Sequence, residues 1–215
     1  MTTAPTTHAS APAAPAVALA SLTLICPTIG RSSLATLRDQ ALAQLAPADQ
    51  FIVVGDGPRP RARSLMTEPA DPRLVYLETE PTGNYGSEQI DHAIDTAARG
   101  DYLMFIGDDD ELAPDALALV RRTVSVADPH PYLFAMRYHG ELMHGRFAFG
   151  LCSGQQFVVP NDRARLARYA APAAASYENN DWLFMNATAR LWAYRIELRP
   201  EVISVLHYRN QGRIW

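Results

Sequence analysis

The chain has no lysine: all 19 of its basic residues are arginine. That excludes a Walker-type phosphate lysine, a Schiff-base lysine for pyridoxal phosphate or aldolase chemistry, and a Ser-Lys dyad. Any reaction is left to carboxylates, histidines, hydroxyls, arginine or a metal. Cysteine is nearly as scarce. Cys26 and Cys152 stand far apart in apolar sequence and read as small buried hydrophobes, so nothing demands an oxidising compartment. GxSxG, GxGxxG and CxxC motifs are missing too, which weighs against hydrolase, dinucleotide and zinc-ribbon readings. With a formal charge of −4 and arginines scattered along the chain, no basic face is available to track nucleic acid. The one tight arginine cluster, Arg59, Arg61 and Arg63, sits among prolines and reads as a solvated loop. Long apolar runs are also lacking. The longest, Ala16 to Cys26, is too short to span a bilayer, and no arginine precedes Arg31, so neither a membrane segment nor a secretory signal is expected and a cytoplasmic location is.

What is present is a chain of 215 residues, 48% hydrophobic, which fits one domain. Residues 1–20 are rich in Ala, Pro and Thr, carry no charge and read as a flexible leader. From Ser21 the pattern becomes regular. SLTLIC, FIVVGDG, RLVYLET and DYLMFIG read as buried strands, and SSLATLRDQALAQL and SEQIDHAIDTAARG as helices between them. Near-continuous hydrophobic strands alternating with helices predict an α/β fold, a doubly wound and mostly parallel sheet with its functional loops at the strands' C-terminal ends. Beyond residue 120 the pattern turns mixed: PYLFAMRYHG, RFAFGL, FVVP and VISVLHYR are expected as strands, NDRARLARYA and NDWLFMNATARLW as short helices. The expectation is a single domain over 21–215, with a nucleotide-binding half at 21–120 and a smaller acceptor-side half at 121–215.

Chemistry concentrates in a few places. Asp108, Asp109, Asp110 and Glu111 follow an apolar strand directly. A divalent cation lowers the cost of keeping such a row ionised, and Mg²⁺ or Mn²⁺ binds through few carboxylates plus the oxygens of a diphosphate. A helix N-terminus also favours acids, but one would serve that purpose. Asp56, with Gly57 behind it, suits a base N–H or a ribose hydroxyl, or is an ordinary Asp-Gly turn. In Glu178-Asn-Asn-Asp181-Trp182 the acids are either helix caps or a general base beside an aromatic. Of the histidines, His139 and His144 do not match the HExxH zinc spacing, while His92 and His207 are secondary candidates.

Taken in order, these segments resemble the GT-A fold of family 2 glycosyltransferases. LTLICPTIGRSSL is similar to the family's first strand and its Pro-Thr turn, FIVVGDGP to its nucleotide-contacting strand, and ARGDYLMFIGDDDELAPDAL to the strand carrying its DxD element. ENNDW and VLHYRNQG resemble the base-bearing segment and the closing strand. The resemblance implies an inverting, metal-dependent transfer from a nucleoside-diphosphate sugar to an acceptor hydroxyl, with Mn²⁺ or Mg²⁺ as cofactor and with pairing into a homodimer left open. It implies Pro27, Thr28, Gly30, Arg31, Asp56, Gly57 and Gly86, with Asp108 and Asp109, as donor contacts. Asp108, Asp110 and His207 would be metal ligands and Asp181 the base, Glu178 being the alternative. Two positions depart from the family pattern: Gly107 stands where an aspartate is common, and Gln89-Ile90-Asp91-His92 covers the stretch that often carries an Arg-Asn pair. The competing readings are a nucleotidyltransferase and a silent nucleotide- or glycan-binding module on the same fold.

Overall fold

The computed structural model describes residues 19–68, 70–83, 86–170 and 180–207. The first half alternates as its sequence pattern requires. Strand β1 (Leu22–Thr28) is followed by helix α1 (Leu34–Gln44), β2 (Gln50–Asp56), α2 (Pro60–Thr67), β3 (Leu74–Thr79), α3 (Ser87–Thr96) and β4 (Tyr102–Phe105). β1 pairs in parallel with both β2 and β4, and β2 pairs in parallel with β3. Alternate side chains of a strand face opposite sides of a sheet. Leu22, Leu24 and Cys26 of β1 therefore join one core beneath α1, α2 and the later helix α4 (Ala116–Thr123), while Ile25 joins a second beneath α3 and α5 (Asn180–Leu191). Residues such as Leu24, Ile25, Phe51 and Ile52 are almost wholly excluded from water. Each contributes roughly 2 kcal/mol through that burial.

The second half completes the sheet in a different way. β5 (Glu111–Leu112), β6 (Tyr132–Tyr138), β7 (Glu141–Met143), β8 (Phe157–Pro160) and β9 (Glu197–Leu206) extend it in the order β3-β2-β1-β4-β8-β6-β9-β5, with β7 on β6. β8 runs antiparallel to β4 and to β6, whereas β9 runs parallel to β6. The antiparallel course of β8 is what matters for the site, because it carries the residues just before Phe157 to the C-terminal end of β4.

Three local expectations are corrected. Of the arginines at 59–63 only Arg59 stays in the loop: Pro60 starts α2, its fixed φ and missing N–H suiting a first helical position, and Arg61 and Arg63 fall within the helix. RFAFGL is not a strand. Its backbone closes on itself, Ala148 N–H bonding Arg146 O at 2.7 Å and Leu151 N–H bonding Ala148 O at 3.0 Å, and the short strand on β6 is β7 instead. NDRARLARYA forms only a 3₁₀ turn at Arg163–Arg165, capped by the Asp162 carboxylate, because Arg168 turns away to Asp91 and Asp95 of α3.

Candidate active site

Strands β1, β2 and β4 end at one edge of the sheet, and most of the residues singled out above gather there. Asp108 is the hub. Its side chain is 2% exposed, and its Oδ2 accepts the Thr28 hydroxyl at 2.5 Å and the Ile29 and Arg31 backbone N–H groups, while Oδ1 takes the Arg31 guanidinium at 2.5 Å. Ser33 Oγ donates to the Asp108 carbonyl at 2.7 Å. Both oxygens of Asp108 are thus committed to shaping the turn after β1. Gly30 and Gly86 are required by their backbones, at φ +90° and +89°, and a Cβ on Gly86 would lie 2.6 Å from Pro27. Pro27 and Gly86 therefore pack directly on one another.

Asp109 and Asp110 do something else. They line a cavity of about 210 Å³ with Ser32, Ser33, Thr36, Glu111 and His207. Asp110 is 7% exposed, and burial pushes its carboxyl up to about 7, the like charge of Asp109 adding to the effect. The His207 N–H and the Gln155 side chain donate to Asp110, the latter at 3.3 Å. The imidazole Nε2 of His207 meets Glu111 Oε1 at 3.0 Å. Gly107 gains a reason here: a Cβ would come within 2.8 Å of Asp110 Oδ2 and 3.0 Å of Asp109 Oδ1, so the two carboxylates fold back over a position that must stay bare.

This donor set fits a hard divalent cation in kind. Two adjacent carboxylates, one of them buried at an electrostatic cost, are what Mg²⁺ or Mn²⁺ takes when phosphate oxygens supply further ligands. Among the described residues no three His, Cys, Asp or Glu side chains converge to enclose a cation by themselves. A cation would therefore need further oxygen ligands from outside these side chains.

Asp56, at the end of β2, faces the loop after β3. Its Oδ1 accepts the Thr82 N–H at 2.7 Å and Gln89 Nε2 at 3.0 Å, and its Oδ2 accepts the Gly83 N–H at 3.2 Å. Gly57, at φ +77°, packs so tightly on Pro81 that a Cβ would sit 2.8 Å away. Arg31 bridges the mouth of the site, with Nε 3.7 Å from Asp109. Cys26 lies under it fully buried, its thiol pushed well up by burial and then by Asp108, and is inert.

Asp181 lies in the first turn of α5. Its Oδ1 accepts the Tyr169 hydroxyl at 2.8 Å, and its Oδ2 accepts the Gly154 N–H at 2.8 Å and the Ser153 hydroxyl at 3.2 Å. Burial and then Asp181 raise the Tyr169 phenol, so it keeps the proton that it donates here. A carboxylate offers about four acceptor positions, and these three bonds leave one of them open. Beside it an aromatic group stands open, Trp182 lying 5.2 Å from Phe147 and 6.2 Å from Phe149 between ring centroids. Glu178, the alternative carboxylate, lies outside the described residues.

Sequence reasoning missed Ser153, Gln155 and Tyr169, and took Gln89 only as a departure from a pattern. No local pattern marks them, since each acts through a partner far along the chain. Gln89 is fully buried, and its Nε2 also reaches Thr79 Oγ1 at 2.8 Å.

A mixed sheet of this order, with acidic loops at the end of β4, is the GT-A architecture of glycosyltransferases. The glycosyl transferase family 2 profile matches residues 23–139, more than half of the chain, and the chain belongs to that family. Solved structures of similar fold include TarS from S. aureus, with a TM-score of 0.63 and 14% identity over 86% of this chain and 36% of that one. The 1–349 portion of TarS in complex with UDP-GlcNAc aligns at a TM-score of 0.63 and 13% identity, over 89% of this chain and 60% of that one. The mannosyltransferase PcManGT from Pyrobaculum calidifontis, in complex with GDP-Man and Mn²⁺, aligns at 0.57 and 16%, over 92% and 61%. At these identities the likeness is one of fold, and the chain spans less than two thirds of each of these relatives. No curated protein matches it significantly in sequence. No helix among the described residues is long and apolar enough to cross a membrane.

Proposed function

We propose that the chain transfers a glycosyl group from a nucleoside-diphosphate sugar to an acceptor hydroxyl, with inversion, using Asp181 as general base and a divalent cation held by Asp109 and Asp110. One observation carries this reading: carboxylates from two distant segments, the end of β4 and the start of α5, meet across the Ser153–Gln155 turn. Crystallised relatives of the fold support the donor class, since TarS was captured with UDP-GlcNAc and PcManGT with GDP-Man and Mn²⁺.

In this mechanism Tyr169 and Gly154 hold the Asp181 carboxylate still while it takes the proton of the attacking hydroxyl. The Pro27–Arg31 turn and Asp56 border the nucleotide, and Arg31 offers its guanidinium to the diphosphate side. A bound divalent cation would neutralise charge building on the leaving diphosphate. Because the structure commits Asp108 to Thr28 and Arg31, the cation is assigned to Asp109 and Asp110, and His207 joins only by leaving Glu111.

Thermal-shift measurement with UDP, GDP and their sugars, with and without Mn²⁺, tests the donor site, since a ligand that binds only the folded state raises its melting temperature. No shift with any of them sinks it. One observation favours a second reading, a binding module without turnover: Gln89-Ile90-Asp91-His92 stands where the family often carries an Arg-Asn pair, which leaves the diphosphate side without that arginine. Tight nucleotide binding with no release of nucleoside diphosphate would establish that reading instead.

A further inference from the structure

We infer that the turn Ser153–Gln155 is the positioning device that sets the base against the cation-binding carboxylates, with Ser153 and Gln155 as positioning residues. The inference rests on the transfer reading above and adds to it residues that act through Asp110 and Asp181.

The turn is anchored independently of the two sites it joins. Gln156 is fully buried, donates to the Phe134 carbonyl of β6 at 2.9 Å and accepts the Ser153 N–H at 3.1 Å. Ser204 of β9, 2% exposed, donates its hydroxyl to the Gln155 carbonyl at 3.3 Å. With its backbone pinned to β6 and β9, the turn presents three polar groups toward the site. The Gln155 amide donates to Asp110 Oδ2 at 3.3 Å, the Gly154 N–H donates to Asp181 Oδ2 at 2.8 Å, and the Ser153 hydroxyl touches both Asp181 Oδ2 and Gln155 Oε1. The hydroxyl has a single proton, so it donates to one of these acceptors at a time and couples them. A run of contacts thus passes from Asp110 through Gln155 and Ser153 to Asp181.

Gly154 shows how little slack the device has. A Cβ there would fall 2.3 Å from the Tyr169 hydroxyl and 3.2 Å from Asp181 Cγ. Tyr169 is 4% exposed and stacked on Phe184 at 4.2 Å between centroids, so it cannot yield. Direct displacement needs the attacking hydroxyl within about 3–3.5 Å of the carbon it attacks, and a misplacement of about 1 Å costs on the order of 10²-fold in rate. The base sits on α5 and the cation carboxylates on the loop after β4, and this turn spans the gap between them.

The test uses the full chain with Mn²⁺ and whichever of UDP-GlcNAc or GDP-mannose the wild type consumes with water as the attacking hydroxyl, read as release of nucleoside diphosphate and free sugar. Gln155→Leu and Ser153→Ala are compared with Ser153→Thr, which keeps the hydroxyl. The expected result is a kcat lower by about 10- to 100-fold in the first two, with donor KM and Mn²⁺-dependent nucleotide affinity within about threefold of wild type. Ser153→Thr should recover to within about threefold. Should either of the first two fail to fold, the other carries the measurement. Wild-type kcat in the folded variants overturns the inference, as does a loss of nucleotide affinity equal to the loss of turnover. A wild type that consumes no donor overturns the transfer reading and this inference together.

Discussion

The two halves of the sheet hold their candidate groups by different means. In the parallel half, Asp56 and Asp108–Asp110 follow directly on buried strands whose register is fixed over several residues, Leu24 opposite Phe51 and Ile25 opposite both Ile52 and Phe105. In the other half Asp181 follows no strand. It stands on α5 and is placed by Tyr169, Gly154 and Ser153, side-chain and turn contacts from segments 12 to 28 residues away. The strand-borne groups are robust consequences of hydrophobic pattern, whereas the helix-borne one depends on a handful of polar contacts. Substitution should therefore affect the two halves differently: at Asp181 it should remove chemistry, and around Asp108 it should remove structure.

The largest effect is expected at the base. Asp181→Asn keeps the size and most contacts of the side chain but cannot take a proton, so turnover should fall by about 10² to 10⁴-fold while nucleotide affinity stays unchanged. Steady-state kinetics beside calorimetric titration with UDP or GDP and Mn²⁺ reads both quantities. Turnover surviving within tenfold would move the base to another carboxylate, Glu178 first.

Across the sheet, Asp109→Ala/Asp110→Ala should separate binding from folding. Metal-dependent nucleotide affinity is expected to fall about 10- to 100-fold, a loss of two charged ligands. The melting temperature without metal should hold or rise, because removing Asp110 relieves a buried carboxyl whose folded form resists ionisation. A parallel fall in stability would show that these acids serve the fold, as Asp108 does.

Asp108→Ala should do the reverse. It strands the buried Thr28 hydroxyl, the Ile29 N–H and half of the Arg31 pair, and a buried hydrogen-bonding group left without its partner costs about 1–3 kcal/mol. Denaturant titration measures the loss, and an unchanged midpoint would refute the claim that this residue builds the β1 turn.

The same contrast explains how much could be read from sequence. LTLICP and FIVVGDG announce their strands because burial on both faces demands continuous hydrophobicity, and the loops that follow them are then placed by topology alone. DYLMFIG followed by three aspartates located the cavity at the end of β4, though not the division of labour within it. Asp108 turns inward to Thr28 across 80 residues of sequence, and nothing in the row of acids distinguishes it from its neighbours. In the second half local pattern misled. Alternating Phe147 and Phe149 imitate a strand, but the chain turns at Ala148 and both rings pack near Trp182. The arginines of 163–168 imitate a helix, yet Arg163 and Arg168 find their partners in the acids of α3, contacts that no window of sequence contains. Ser153 and Gln155 were invisible for the same reason.

The smallest expected effect concerns loops at the opposite, N-terminal edge of the sheet, where stability should be separable from the site altogether. Asp71 accepts from the Arg73 backbone and guanidinium, and Arg73 also holds the Leu45 carbonyl at 2.7 Å. The hydrogen bonds from Arg73 lower the Asp71 carboxyl from 3.8 to about 2. A carboxylate whose folded pKa lies below its unfolded value contributes stability that is complete above about pH 4 and is lost as pH falls towards 2. Both side chains are about a quarter exposed, so screening reduces the contribution to on the order of 1 kcal/mol. Melting curves of wild type and Asp71→Asn should differ by a few degrees at neutral pH and converge between pH 4 and 2, with nucleotide binding at neutral pH the same in both. In the other half, hydrogen bonds from Arg195 likewise lower Asp128, on a pair that ties the approach to β6 to the segment after α5. Asp128→Asn should show the same convergence with turnover unchanged, because that pair is exposed and lies past the C-terminal end of α5, the end opposite Asp181. If either variant changed turnover, the placement of Asp181 would depend on more than its contacts to Tyr169 and the Ser153–Gln155 turn.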